Sequence, residues 1–180
     1  MEKHINTPLK KEKIKNLKVG DYVFITGIIY SARDAAHKRM YDALSAGEEL
    51  PFSIENNIVY YMGPSPARPG QIIGSAGPTT ASRMDKHTPK LLEMGLSGMI
   101  GKGTRGRDVI ESMKKNKAVY FVATGGAGAL LSKCIKKVKV IAYDELGTEA
   151  IHELYVENFP VIVAIDSNGN NLFELQSQIS

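Results

Sequence analysis

The sequence predicts an α/β fold with a mixed sheet. Two observations lead there: runs rich in β-branched and aromatic residues alternate with segments of helical spacing, and several strand-like runs neighbour one another with no helix between them. A length of 180 residues suits one compact domain, and a hydrophobic share of 43% is ordinary for a globular protein. Residues 1–180 are therefore expected to form a single domain.

The elements follow in order. Val19-Gly20-Asp21 is a turn, and residues 22–30 read as a strand. Residues 33–46 place Met40, Ala43 and Leu44 at helical spacing, with Gly47 where a C-cap falls. Ile58, Tyr60 and Met62 alternate within a short strand at 57–62. The Pro/Gly-rich stretch 63–70 excludes regular structure. Ser75-Ala76-Gly77-Pro78-Thr79-Thr80 suits the approach to a helix carrying Arg83, and residues 89–94 add a further helical turn before Gly95. A strand at 98–100 enters Gly101-Lys102-Gly103-Thr104-Arg105-Gly106, and a helix at 108–116 ends in basic residues. Residues 118–123 form a buried strand, Gly125-Gly126-Ala127-Gly128 opens a small-residue helix through Cys134, and 138–142 is a strand. Residues 148–154 read as helical and 161–165 as a strand. Asn168-Gly169 signals a hairpin into Leu172-Phe173.

Composition narrows the chemistry. One cysteine, Cys134, makes no internal disulfide and cannot supply the thiolates of an iron–sulfur cluster, so either no cluster is used or a partner chain carries it. It reads as an inert core thiol. His4, His37, His87 and His152 show no metal-ligand spacing. Six lysines lie in the first eighteen residues, yet the net charge is only +4, and no aromatic interleaving or nucleic-acid-binding motif accompanies them. No nucleic acid is expected as a partner. No apolar run approaches a membrane span, and the basic N-terminus lacks the apolar core of a secretory signal, so no membrane association and a cytoplasmic location are expected.

Gly101, Gly103 and Gly106 match G-x-G-x-x-G, but the acidic residue wanted about twenty positions on is absent, and the P-loop pattern fails as well. An anion cradle of backbone N–H groups at the helix start plus Lys102 remains, beside the plainer reading of a turn that needs glycine. Thr79 and Arg83 are four apart, one helical turn, so a hydroxyl and a guanidinium would share a face. Arg33 stands at a strand-to-helix junction. His37, one turn on, either supports Arg33 or is simply structural.

These pieces together resemble the β subunit, or C-terminal domain, of class I fumarases and L(+)-tartrate dehydratases. The resemblance rests on Val19-Gly20-Asp21, Ala32-Arg33-Asp34-Ala35-Ala36-His37, Gly77-Pro78-Thr79-Thr80 with Arg83-Met84, Gly101-Lys102-Gly103, Gly125-Gly126, Glu145-Leu146-Gly147 with Glu149-Ala150-Ile151, and Asn158-Phe159-Pro160. Their order and spacing cover nearly the whole chain. His152 departs from the tryptophan frequent after Glu-Ala-Ile in that family.

The resemblance implies a swivelling β/β/α domain that closes over a 4Fe-4S cluster held by the α subunit, whose iron acts as a Lewis acid on a 2-hydroxydicarboxylate. It implies a hydro-lyase subunit, inactive without its α partner, in a hetero-oligomer. Carried over by residue, Arg33, Arg83 and Lys102 bind the dicarboxylate substrate. Thr79 and Lys102 are the catalytic candidates, Thr79 either as the base or as a hydrogen-bond donor. Gly101-Lys102-Gly103-Thr104-Arg105 is closer to the fumarases and Gly169-Asn170-Asn171-Leu172 to the tartrate enzymes. Fumarate hydratase is the expectation, with tartrate dehydratase or a stand-alone anion-binding module as alternatives.

Overall fold

In the computed structural model, residues 1–123 and 128–179 are described. The strands are β1 (Glu2–Asn6), β2 (Tyr22–Ser31), β3 (Ile58–Tyr60), β4 (Gly98–Gly101), β5 (Val119–Ala123), β6 (Ile135–Ala142) and β7 (Ile151–Ile165). The helices are α1 (Lys11–Ile14), α2 (Asp34–Ser45), α3 (Thr88–Glu93), α4 (Arg107–Asn116), α5 (Gly128–Ser132) and α6 (Leu172–Ile179), with 3-10 turns at Ala81–Met84 and Asp144–Glu149.

The sheet is mixed, as expected. Its order is β1-β2-β3-β4-β5-β7-β6, with a further pairing of β2 with β7. β2, β3, β4 and β5 run parallel. The long β7 returns antiparallel to both β2 and β5 and so closes these five strands into a ring. A register shift between Ile25 and Gly27 bends β2 against β7 where the ring turns. β1 and β6 lie outside the ring, on β2 and β7.

β3 and β4 are buried on both faces along their length, and β5 over its first three residues, the pattern of parallel strands covered on both sides. Ile58, Tyr60, Ile100, Val119, Phe121 and Val163 fill one core, and Val59, Tyr61, Met99 and Tyr120 meet Met40, Leu91, Val109 and Met113 of α2–α4 in the other. No helix among the described residues is long and apolar enough to cross a membrane.

Three segments differ from expectation. The stretch read as helical at 148–154 is strand from Ile151 onward, and its helical turn comes earlier, at Asp144–Glu149. Ile151 and Leu154 are spaced like one helix face, but both lie buried on β7, where strand pairing to β2 and β6 decides the conformation. Asn168-Gly169 does turn the chain, but after one bridge between Ile165 and Asn171 it leads into α6 and not into a strand. The Asn171 side-chain oxygen accepts the Phe173 N–H at 3.0 Å, as a helix cap does. Cys134 sits just past α5 and is only partly buried. Residues 124–127 of the expected Gly125-Gly126 helix start lie outside the described residues.

Candidate functional site

Ligands in parallel α/β arrangements gather at the C-terminal ends of the strands. Here β2, β3 and β4 end on one rim, and each delivers a segment carrying a candidate residue. β2 passes directly into Arg33, the residue that caps α2. The Ala32 N–H donates to the Tyr60 carbonyl at 3.0 Å, which fixes the Arg33 backbone to the end of β3. The Arg33 side chain then runs over Gly63: a Cβ there would stand 2.7 Å from Arg33 Cδ. The small residue after β3 is thus the channel for the arginine. Arg33 Nε is buried and has no hydrogen-bond partner among the described residues.

Past the Pro/Gly-rich loop, the chain re-enters the gap between the diverging ends of β3 and β4. The Thr79 N–H donates to the Tyr61 carbonyl (2.7 Å), the Lys102 N–H donates to the Thr79 carbonyl (3.2 Å), and the Ala81 N–H donates to the Lys102 carbonyl (2.9 Å). Thr79 and Lys102 are therefore tied backbone to backbone. Gly101 makes this possible, since a Cβ there would lie 2.9 Å from the Tyr61 ring and 3.0 Å from Ala81 Cβ. Thr79 is partly exposed, Lys102 is exposed, and the Lys102 ammonium has no carboxylate partner among the described residues.

Arg83 sits in the 3-10 turn Ala81–Met84 and pairs with Asp34, the residue after Arg33. Thr79 lies before that turn, on the extended segment, so the two share a rim without sharing a helix face. Glu149 lines the same groove as Asp34 and Arg83, and its carboxylate accepts the Ala35 N–H at 3.3 Å at the start of α2. All four residues drawn from the resemblance thus collect at one end of the ring.

The helix-start cradle expected for Gly101–Gly106 is occupied in part by the protein itself. The Gly106 N–H, at the start of α4, donates to Asp85 Oδ2 at 2.7 Å, so this N-terminus is already capped by a carboxylate. Of the two cationic side chains at Lys102 and Arg105, Lys102 is the exposed one.

Beneath the rim lie Arg105, to which motif reading gave no role, and the two histidines His37 and His152. Arg105 has a fully buried side chain that donates to Asp85 Oδ1 (2.8 Å) and Thr88 Oγ1 (3.0 Å) and lies against the Tyr61 and Tyr120 rings at 5.1 and 5.0 Å. A glycine-rich loop ordinarily carries its charges outward. The sequence carried no local signal for this inward turn, since Lys102 stands among the same glycines and is exposed. His37 is wholly buried, its ring edge-on to Tyr61, with Nδ1 2.8 Å from the Arg33 carbonyl. Burial lowers its pKa to about 4, the Arg33 bond opposing only partly, so the ring is neutral and Nδ1–H donates. His37 thus holds the Arg33 backbone and does not face the rim as a free base. His152 is buried on β7 with Nδ1 3.0 Å from the Ala150 carbonyl.

Cys134 offers no site. Burial raises its thiol pKa, and its Sγ lies 3.9 Å from the Asn158 carbonyl. One cysteine does not fit the thiolate set of an iron–sulfur cluster, and among the described residues no group of three or more His, Cys, Asp or Glu is arranged to hold a metal ion.

Residues 2–176 match the family model described as Fumarase C-terminus. A protein of Methanocaldococcus jannaschii, provisionally named L(+)-tartrate dehydratase subunit beta, is 39% identical over 172 residues, 92% of this chain and 88% of that protein. The anaerobic class I fumarate hydratase of Escherichia coli is 37% identical over 174 residues, and the mitochondrial fumarate hydratase 1 of Leishmania major 37% over 175. The chain spans about a third of the length of these two fumarate hydratases, 32% in each case.

Proposed function

This chain belongs to the Fumarase C-terminus family, and we propose that it is the β-type part of a hydro-lyase, supplying the anion-binding half of a site shared with an α subunit. The substrate class is a 2-hydroxydicarboxylate. The reaction is the reversible loss of water, L-malate to fumarate first among the choices. In this reading residues 1–180 act as one domain, swivelling over the partner in the cytoplasm, and the 4Fe-4S cluster belongs to the α subunit, because the ligand set of this chain does not fit it.

The observation that carries the proposal is the convergence of Arg33, Thr79, Arg83 and Lys102 on the rim, with Thr79 and Lys102 joined through their peptides. Arg33, Arg83 and Lys102 would neutralise the two carboxylates. Deprotonation of carbon beside a carboxylate builds further negative charge, and cations held in place by the fold stabilise it without reorganising. Thr79 would take that proton or hydrogen-bond the substrate. As a base its hydroxyl requires nearby cations, and Lys102 is the cation whose backbone is bonded to that of Thr79.

A second reading is favoured by one observation: a relative matched over 88% of its own length carries a provisional name for L(+)-tartrate. Anaerobic assay of the chain, alone and co-expressed with a cluster-bearing α subunit, on L-malate and L(+)-tartrate separates the two. Activity only with the partner is expected, with L-malate preferred. Preference for L(+)-tartrate selects the second reading. Failure of any complex to form would leave a stand-alone anion-binding module.

A further inference from the structure

We infer that Arg105 is a positioning residue, whose buried guanidinium clasps the Lys102 loop to the Arg83 turn and so fixes the spacing of two substrate-binding cations. The inference rests on the proposed function for what the cations bind, but the clasp itself is a property of this chain.

The two segments meet directly at only a few backbone bonds. Lys102 exchanges two with Thr79 and Ala81, and beyond Gly103 the loop would be free to move relative to the turn. Asp85 closes the gap. It follows the 3-10 turn that carries Arg83, and both its oxygens are committed to the loop: Oδ1 accepts from Arg105 Nε and Oδ2 from the Gly106 N–H. Arg105 continues the connection into α3 through Thr88, whose hydroxyl donates at 2.8 Å to the carbonyl of Met84, the last residue of the turn. On its other side the Tyr120 hydroxyl donates at 2.7 Å to the carbonyl of Gly103, the residue after Lys102. Tyr120 and Tyr61 hold the guanidinium between β5 and the end of β3.

Burying such a pair is a poor route to stability, since apolar residues of similar volume commonly serve as well or better. What the pair supplies is geometry. A guanidinium offers a planar fork of donors with fixed directions, and Lys at the same place keeps the charge but not the fork. The clasp therefore makes three separated segments, the turn, the loop and the start of α3, move as one body.

The test uses three variants: Arg105→Lys, Arg105→Met, and Arg105→Met combined with Asp85→Asn. The last removes both charges together, while the asparagine side-chain oxygen can still accept the Gly106 N–H. It keeps a folded protein available if Arg105→Met alone leaves Asp85 stranded and unfolds. Hydrogen exchange of the chain reads the clasp. In the double variant exchange should accelerate at least tenfold at residues 79–85 and 101–106, with β2 and β7 unchanged. In the complex, KM for the preferred hydroxydicarboxylate should rise at least tenfold, more than kcat falls, with Arg105→Lys recovering part of the loss. Unchanged exchange in both segments, a uniform increase over the whole chain, or a wild-type KM in a folded variant overturns the inference. If the wild-type complex turns over no hydroxydicarboxylate, the proposed function fails, and the exchange pattern still decides the clasp.

Discussion

Tyr60 and Tyr61 are adjacent and both fully buried, but they belong to different kinds of interior. Tyr60 points into the ring, where its hydroxyl donates to the Ala76 carbonyl at 2.6 Å and its edge meets Phe159. Around it are Ile58, Ile100, Phe121 and Val163. Tyr61 points into the helical layer, between the Arg105 guanidinium and the His37 ring. The ring core is held by apolar packing, which is tolerant in direction and large in free energy. The layer outside it contains a polar network, directional and costly to bury. Every candidate cation on the rim is anchored to that second layer: Arg33 through His37, Arg83 through Asp85, Lys102 through Tyr120 and Arg105. Stability and site geometry are thus carried by opposite faces of the same strands.

The largest effect should come from the first face. Phe121 is fully buried on β5, and Phe121→Ala should cost about 3–5 kcal/mol in urea unfolding. While the protein stays folded, KM of the complex should hold at its wild-type value. A KM that rises in step with lost stability would mean that the two faces are not separable.

The second face should show itself in pH. The unfolded chain protonates His37 below about pH 6.5, whereas the folded chain refuses the proton until about pH 4. The neutral ring's contribution is therefore complete above pH 6.5 and shrinks as pH falls through this window, by about 3 kcal/mol in total. Other groups also weaken the fold in acid, so the comparison is with His37→Gln, whose stability curve should be flatter by that amount. Parallel curves would show that His37 is not held neutral by its surroundings.

This division explains what the sequence made legible. Strands such as β4 and β5 announced themselves because apolar runs between glycines and helices have few other fates, and the rim candidates came from the resemblance, whose motifs run in order along the chain. Weak or conflicting local patterns misled. Glu2–Asn6 alternates only Lys3 and Ile5 inward, too short a signal, and forms a strand because β2 offers an edge. The segment after Glu149 satisfied a helical spacing and a strand alternation equally, and pairing on both sides decided it. Arg105 was hidden for another reason. Its partners Asp85 and Thr88 lie twenty and seventeen residues away, and no local period encodes a buried ion pair closed by tertiary contact.

Gly101 joins the two faces, and replacing it should have an intermediate effect. A methyl group there meets Tyr61 and Ala81 at or below the shortest ordinary separations, which forces the Thr79 segment away from the end of β4. Gly101→Ala should cost about 1–3 kcal/mol by overpacking. It should also reduce kcat/KM at least tenfold, because the displaced segment carries Thr79. A loss of stability with full activity would mean that the rim tolerates a shift of Thr79 against Lys102.

The smallest change in stability belongs to the rim itself. Asp34 and Arg83 are 34% and 52% exposed, and a pair so placed contributes at most about 1 kcal/mol. Asp34→Asn should therefore leave urea unfolding nearly unchanged, within about 1 kcal/mol. Its effect on binding separates two roles of the carboxylate. Asparagine still offers an oxygen to the Arg83 guanidinium, so the side chain keeps its aim, while the negative charge beside an anionic substrate is gone. If aim is what Asp34 supplies, KM should fall about twofold to fivefold, the size of one screened repulsion at a solvated rim. A KM that rises instead would show that the charge, and not the hydrogen bond, holds Arg83 over the site, and the polar layer would then extend its control to the outermost cation.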